Sequence, residues 1–501
     1  MKTKNIFLGL IMCISVAVSA QTNTFYFMEE VPTRNAMNPA FMPNTSFYLD
    51  FFILPSFYFE GGTNAFAIRD VLLKNNDNEW VTALHSSQSP NKLYSRIPKT
   101  SEIGAKFGLD ILNFGFRVKD KNYFNFSLGA KADAAAYLPK DLFKLALFGT
   151  PYEDDINSFN LKNLGVNAAL YGEVGLGYTM QLTKRITVGA KLKGLVGFAG
   201  AFTNFKKLNL NASKEEWELD GQGNAYLITP HLLSWDKENQ KFAPNSPEKW
   251  TDFIQGFGGA IDLGATWEPI KNLVISAAVT DIGFIRWSKP QDIVQVSASS
   301  SFSFKGFEYK VGDKLDGDFF SNAWDSIKSG LLYNYDINSG NKKVSQWLTA
   351  NVNLGAELGL LKNKLSVGVL SNTRINRAKV MQEVTLAVNI RPIDWFKTYI
   401  SYTFFDGRYS NLGLGISLRM GAINTFFVMD YIPFSWVKMS NLSENQTKAI
   451  SLPYGMSRVN LQAGMTLNFG RDSSDKAKNK DKEENKDKKK KKKKEKEKET
   501  I

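Results

Sequence analysis

From Leu170 to Gln181 the chain alternates without a break. Leu170, Gly172, Val174, Leu176, Tyr178 and Met180 fall on one parity; Tyr171, Glu173, Gly175, Gly177, Thr179 and Gln181 fall on the other. A period of two is a strand with one apolar face and one that is polar or empty. After Thr183, Lys184 and Arg185 the pattern restarts, with Ile186, Val188, Ala190, Leu192 and Val196 against Thr187, Gly189, Lys191, Lys193 and Gly197. The pair reads as a hairpin with one greasy side. Strands of about ten residues, apolar outside and small or charged inside, suit a barrel in lipid, because only closure satisfies every edge hydrogen bond in a bilayer.

The same grammar recurs along the chain. Leu112, Phe114, Phe116 and Val118 lead into a turn at Lys119 to Asn122, and Phe124, Phe126, Leu128 and Ala130 return, leaving Asn113, Arg117, Asn125, Ser127 and Lys131 inward. Further hairpins are centred near Pro269 to Asn272, Lys362 to Lys364, Pro392 to Asp394 and Met420 to Ala422. These six tight turns alternate with longer connections near 132 to 165, 198 to 258 and 288 to 348, the asymmetry of bacterial barrels with a short periplasmic rim. Phe47 to Phe59, interrupted at Pro55, adds a first strand and Val459 to Phe469 a last. The expected fold is an all-β, transmembrane, antiparallel up-and-down β-barrel of about fourteen strands over residues 46–470.

The final strand is regular, with Val459, Leu461, Ala463, Met465, Leu467 and Phe469 outward and Gly464 among the inward set. It is expected to close the barrel and to be the segment by which the barrel assembly machinery takes up the chain.

Composition narrows the compartment. Lys2 and Lys4 precede an apolar run from Ile6 to Val18, and small residues precede Gln21, so residues 1–20 read as a cleaved secretory signal. Cys13, the one cysteine, lies in that run; the mature chain is expected to have no disulfide and no thiolate metal site. No later stretch is apolar for the ~20 residues of a helical span. Export without these points to an outer membrane, with its lipid as solvent. The 13% aromatic residues and 38 glycines suit aromatic girdles and a thin inner wall better than a large secreted sandwich.

Candidate chemistry is sparse. His85 and His231 fall in predicted loops far apart, and no motif selects a nucleophile, so neither a metal, a cofactor nor enzymatic activity is expected. The acidic pairs Asp154-Asp155 and Glu215-Glu216 read as solvated or ion-binding. Asp141 to Phe148 and Asp318 to Leu331 have helical spacing and would rest on the outer rim. The 198 to 258 connection is polar and long enough to be functional. From Arg471 to Ile501 there are 15 basic and 9 acidic residues, a net of +6. That tail cannot bury a core, so it is expected to be disordered and periplasmic. Its compartment and lack of aromatics argue against nucleic acid. It and the long loops could dock periplasmic or outer membrane protein partners.

Between signal and first strand, residues 21–45 read as a luminal plug segment. Arg34-Asn35-Ala36-Met37-Asn38-Pro39-Ala40-Phe41 resembles the Asn-Pro-Ala element of FadL-like outer membrane transporters and of PorV-type secretion proteins. Val279 to Trp287, Gly355-Ala356-Glu357 and Leu365 to Gly368 look like DUF5723, a family of Bacteroidota outer membrane proteins. The resemblance implies a barrel of about fourteen strands with the N-terminal segment in or beneath the lumen, and makes Asn35, Asn38, Pro39 and Ala40 gate candidates. Pro32 and Pro39 interrupt regular structure there, and the asparagines suit turns. FadL-like barrels pass hydrophobic compounds; PorV-type barrels serve protein secretion. The inward Arg117, Lys131, Glu173, Lys191 and Lys193 show no apolar pocket. Two functions stay open: a barrel binding or passing an amphipathic compound, and a non-enzymatic scaffold of an assembly or secretion complex. A polar porin is a third.

Overall fold

The computed structural model describes residues 23–51, 55–76, 80–83, 85, 87–149, 157–213, 216–230, 233–236, 241–244, 246, 248–298, 301–304, 336–339, 342–405, 411–433, 435–439 and 450–470. The signal at 1–20, Asp154-Asp155, Glu215, His231, the stretch Asp318 to Leu331 and the tail from Arg471 lie outside them.

Fourteen antiparallel strands close into a barrel. Strand β1 is Phe47–Phe51 continued by Phe57–Thr63; β2 is Thr100–Val118, β3 Asn122–Pro139, β4 Gly165–Gln181 and β5 Ile186–Ala212. Next come β6 Gly256–Ile270, β7 Leu273–Trp287, β8 Ala350–Leu360, β9 Leu365–Ile375 and β10 Val380–Ile390. Last are β11 Phe396–Phe405, β12 Leu412–Met420, β13 Ile423–Ile432 and β14 Arg458–Phe469. Each strand pairs with the next, and β14 returns to β1 with Leu467 opposite Leu49 and Ala463 opposite Phe57. Each of the fourteen strands is therefore paired on both sides, as a bilayer demands.

The six expected hairpins are all present. Their turns use the left-handed backbone that tight hairpins need, at Lys119 and Asp120, Asn272, and Gly421. Parity also holds: Leu176 and Leu192 are each 63% exposed, while Glu173 and Lys193 are 6% and 7% exposed. Apolar side chains face lipid and charges face the lumen. Pro55, which has no N–H to donate, sits in the gap of β1, where Asp110 instead donates its N–H to Ser56 O at 2.9 Å.

Two connections differ from expectation. Strand β5 runs 27 residues, far past the bilayer, and pairs with Trp217–Ile228. Much of the polar 198 to 258 connection is thus extended sheet, because Phe202, Leu208 and Leu210 continue the alternation and bury against one another's neighbours. Strand β3 likewise extends to Pro139, and helix α1, Lys140–Phe148, follows as its spacing predicts. Leu142 and Leu145 of α1 pack on Phe159, Leu208 and Leu210. The helix rests on the extended sheet.

Candidate functional site: the plugged lumen

Residues 23–44 turn back into the barrel as two short 3-10 turns, Asn23–Phe27 and Pro32–Ala36. Pro32 opens the second turn, and the Asn38 side chain accepts the Ala40 N–H at 2.9 Å, so neither helix nor strand develops. The segment brings its own apolar core. Phe25, Tyr26, Phe27, Met28, Val31, Met37 and Phe41 pack with Leu370, Ala387, Tyr399, Phe426 and Val428 of the wall. Fully burying such a side chain contributes about 1.5–3 kcal/mol.

The Asn-Pro-Ala element has a fitted seat. Gly189 of β5 and Gly264 of β6 face each other in register, and together they thin the wall. A Cβ on Gly189 would collide with the Pro39 carbonyl, and one on Gly264 with the Asn38 side chain. Around this notch Thr179 donates to Pro39 O at 2.6 Å, Asn353 to Met37 O at 2.8 Å and Asn38 to Ala277 O at 3.4 Å. Asn35 is buried, with Tyr48 OH at 3.5 Å, and Ala40 is buried beside the notch. Asn38, Pro39 and Ala40 are therefore brought together at the notch, whereas Asn35 meets Tyr48 of β1.

Charge fills the remaining interior in three groups. In the first, Lys193 pairs with Asp262 at 2.7 Å and Asp281 at 2.6 Å, and Lys131 with Glu173 at 2.7 Å. Asp281 occupies a bulge of β7 with φ 60°, a left-handed conformation that aspartate tolerates, and its N–H is held by Asp262 at 2.7 Å. In the second, Arg374 bridges Glu60 at 2.6 Å and Glu383 at 3.1 Å, and Arg458 reaches Glu383 at 2.9 Å. Asn23 of the plug donates to that same Glu383 at 2.7 Å. Nearby, Thr24 bonds Asp430 and Ser401. In the third, Arg391 holds Glu357 at 2.8 Å and the plug's Glu29 at 3.5 Å. Burial acts to raise the Glu29 carboxyl; Arg391, Arg34 and Lys397 outweigh it and hold the group below its ordinary value.

The inward charges read from sequence sit here, and Arg117 caps the segment by bonding the Pro43 carbonyl. The partners Glu60, Asp262, Asp281, Arg374, Glu383 and Arg458 are not evident from it. Strand parity signals that each faces inward, yet nothing local signals which partner it meets. His85 lies in an exposed loop against Ser87. Val459, Leu461, Leu467 and Phe469 line the outer side of the seam, with Phe469 ring to ring with Phe47 at 6.0 Å. Gly464 turns inward and leaves room for Ser56.

Among the described residues, three cavities lie within the lumen and at its two ends. At the mouth, about 280 Å³ is lined by Tyr137, Leu164, Phe202, Phe205, Trp347 and Arg377, among others. It shares Asn167, Gln346 and Trp347 with a polar cavity of about 70 Å³ deeper in the lumen, whose floor includes Met37. On the short-turn side, about 330 Å³ lies between Phe41 and Met42 of the plug and Glu268, Asn272 and Asn363 of the rim.

Among solved structures, the chain is similar to the toluene transporter TbuX of Ralstonia pickettii, at 9% identity over 88% of this chain and 95% of that one, with a TM-score of 0.40. The toluene transporter TodX of P. putida is similar at 9% identity over 87% and 93%, TM-score 0.39, and a FadL homologue of Pseudomonas aeruginosa at 10% over 91% and 100%, TM-score 0.39. No curated protein matches the chain. Residues 39–430, from the proline of the notch to the aspartate that holds Thr24, match the family of unknown function DUF5723, and the chain belongs to that family.

Proposed function

We propose that the protein is a non-enzymatic outer membrane barrel that binds an amphipathic compound at its mouth, with residues 23–44 as the gate of a route inward. The observation that carries this reading is the series of cavities interrupted by the plug. The mouth cavity approaches the 300–1,000 Å³ of ligand clefts and combines aromatic walls with Asn167, Gln346 and Arg377, as a compound with an apolar body and a polar head requires. The 70 Å³ beneath it is too small for such a compound while the plug is seated. Short turns then face the periplasm, where the lysine tail would hang.

One feature favours the second reading, a scaffold without transport: ion pairs and plug side chains fill most of the lumen. Purification from native membranes in mild detergent, with mass spectrometry of bound small molecules and of partner proteins, separates the two. A defined amphiphile that Phe202→Ala releases supports the gated barrel. Stoichiometric protein partners with an empty mouth refute it in favour of the scaffold.

A further inference from the structure

The outer surface over β6, β7 and the strand Val344–Trp347 is layered in a way that names a lipid. Its lower part is aliphatic, with Leu263, Ile282 and Leu354 exposed outward. Toward the long-loop rim comes an aromatic tier. Phe284 and Trp347 are cross-strand partners with ring centroids 5.5 Å apart, and Phe257 lies on the neighbouring strand opposite Arg286. Trp347 is 67% exposed, and Trp250, in the turn that leads into β6, 75%. Exposed tryptophans of a barrel sit at the headgroup boundary.

Directly beyond the aromatics lies a cationic tier. Arg286 is two residues past Phe284 on the outward face, opposite Ser345, and Lys343, which is exposed, immediately precedes the strand Val344–Trp347 and stands two positions beyond Ser345. Such diagonal neighbours lie about 7–8 Å apart, close enough for both to reach one phosphate. Lys342 is exposed next to them, and Lys289 donates to Thr251 O at 2.8 Å. Among the described residues, neither Arg286 nor Lys343 makes an ion pair. Among the described acids of the segments flanking β6 and β7, Asp252 accepts the Glu248 and Lys249 N–H groups, Asp292 is buried, and Glu248 is exposed. Cations left unpaired on a lipid-facing wall, one step above an aromatic girdle, are placed for anionic headgroups.

We infer that Arg286 and Lys343 bind the phosphate of a phosphorylated glycolipid of the outer leaflet, with Phe257, Phe284 and Trp347 against its sugar and upper acyl chains. The inference rests on the outer membrane placement proposed above; the site shares Trp347 with the mouth cavity, but its charges, Arg286 and Lys343, do not line that cavity. Arginine supplies a fork for two phosphate oxygens and lysine a mobile point charge. The tiers match such a lipid from acyl chain to headgroup.

The test is a titration of the full-length barrel in mixed micelles with diphosphoryl lipid A, read by native mass spectrometry, with phosphatidylglycerol as competitor. Each cation near a membrane surface is worth about fivefold in affinity. The double variant R286A/K343A is therefore expected to bind about twenty- to thirtyfold more weakly, and the charge-retaining K343R close to wild type. Heat-modifiable gel migration checks that each variant is folded. Equal binding by wild type and R286A/K343A overturns the site, as does full competition by phosphatidylglycerol. Membrane fractionation of cells tests the placement separately: a barrel absent from the outer membrane whose micelle binding still depends on both cations would retire the placement and leave the chemistry standing.

Discussion

A methyl group on Gly189 would test whether residues 23–44 are held by shape. The wall at that position touches the Pro39 carbonyl, so Gly189→Ala must push the backbone of the Asn-Pro-Ala element off the notch. The ladder itself need not change, since Gly189 pairs with Thr179 and Gly264 through backbone groups. The displaced segment loses the Thr179 bond to Pro39, the Asn353 bond to Met37 and the weaker Asn38 bond to Ala277. At about 1 kcal/mol each, that is about 3 kcal/mol, or roughly a 150-fold shift toward released segment. Trypsin cleavage at Arg34 in detergent reads the released population, provided seating is fast relative to cleavage. Gly264→Ala should be milder, because the group it meets is the end of the Asn38 side chain, which can rotate. Wild-type cleavage rates for a folded Gly189→Ala barrel would refute the reasoning.

Other perturbations probe the remaining layers. Arg374→Met leaves Glu60 and Glu383 buried with Arg458 alone between them, and should cost about 3–5 kcal/mol in urea unfolding; an unchanged midpoint would mean the group is not desolvated. Leu176→Lys places a cation on the lipid face and should cost about 2–4 kcal/mol near the bilayer centre, seen as a loss of heat-resistant barrel on gels. Because the Glu29 carboxyl is held low, its pairing with Arg391 contributes fully above the ordinary value of about 4.3 and is lost as pH falls through the lower folded value. Hydrogen exchange of the amides of residues 23–44 should accordingly rise in acid below about pH 4, once corrected for the intrinsic pH dependence of exchange, and Glu29→Gln should flatten that rise.

The lipid-facing half of this protein is legible in its sequence because it is written locally. Leu170 to Val196 states its own outer face through alternation, and the turn at Lys119 to Asn122 fixes its own register. The barrel count follows from such units. The inner half is written across distance: Asn23 meets Glu383 and Arg374 meets Glu60, pairs hundreds of residues apart whose spacing carries no period. Gly189 and Gly264 look like any inward glycines until Asn38 and Pro39 are seen against them. The extension of β5 to Ala212 is hidden for a related reason. Beyond the bilayer its outward residues become polar, so strand and polar loop read alike.

The group around Glu383 also ties two events together. Its members come from the first described residue of the plug, from the first strand, from the middle of the barrel and, through Arg458, from the strand that closes the seam. Glu60, Arg374, Glu383 and Arg458 are all buried, and Asn23 adds a further donor to Glu383. A buried carboxylate needs its donors, so the seam that brings Arg458 and the segment that brings Asn23 complete the same group. Seating the plug and closing the seam are thereby coupled through one shared cluster of charges, although they involve opposite ends of the described chain.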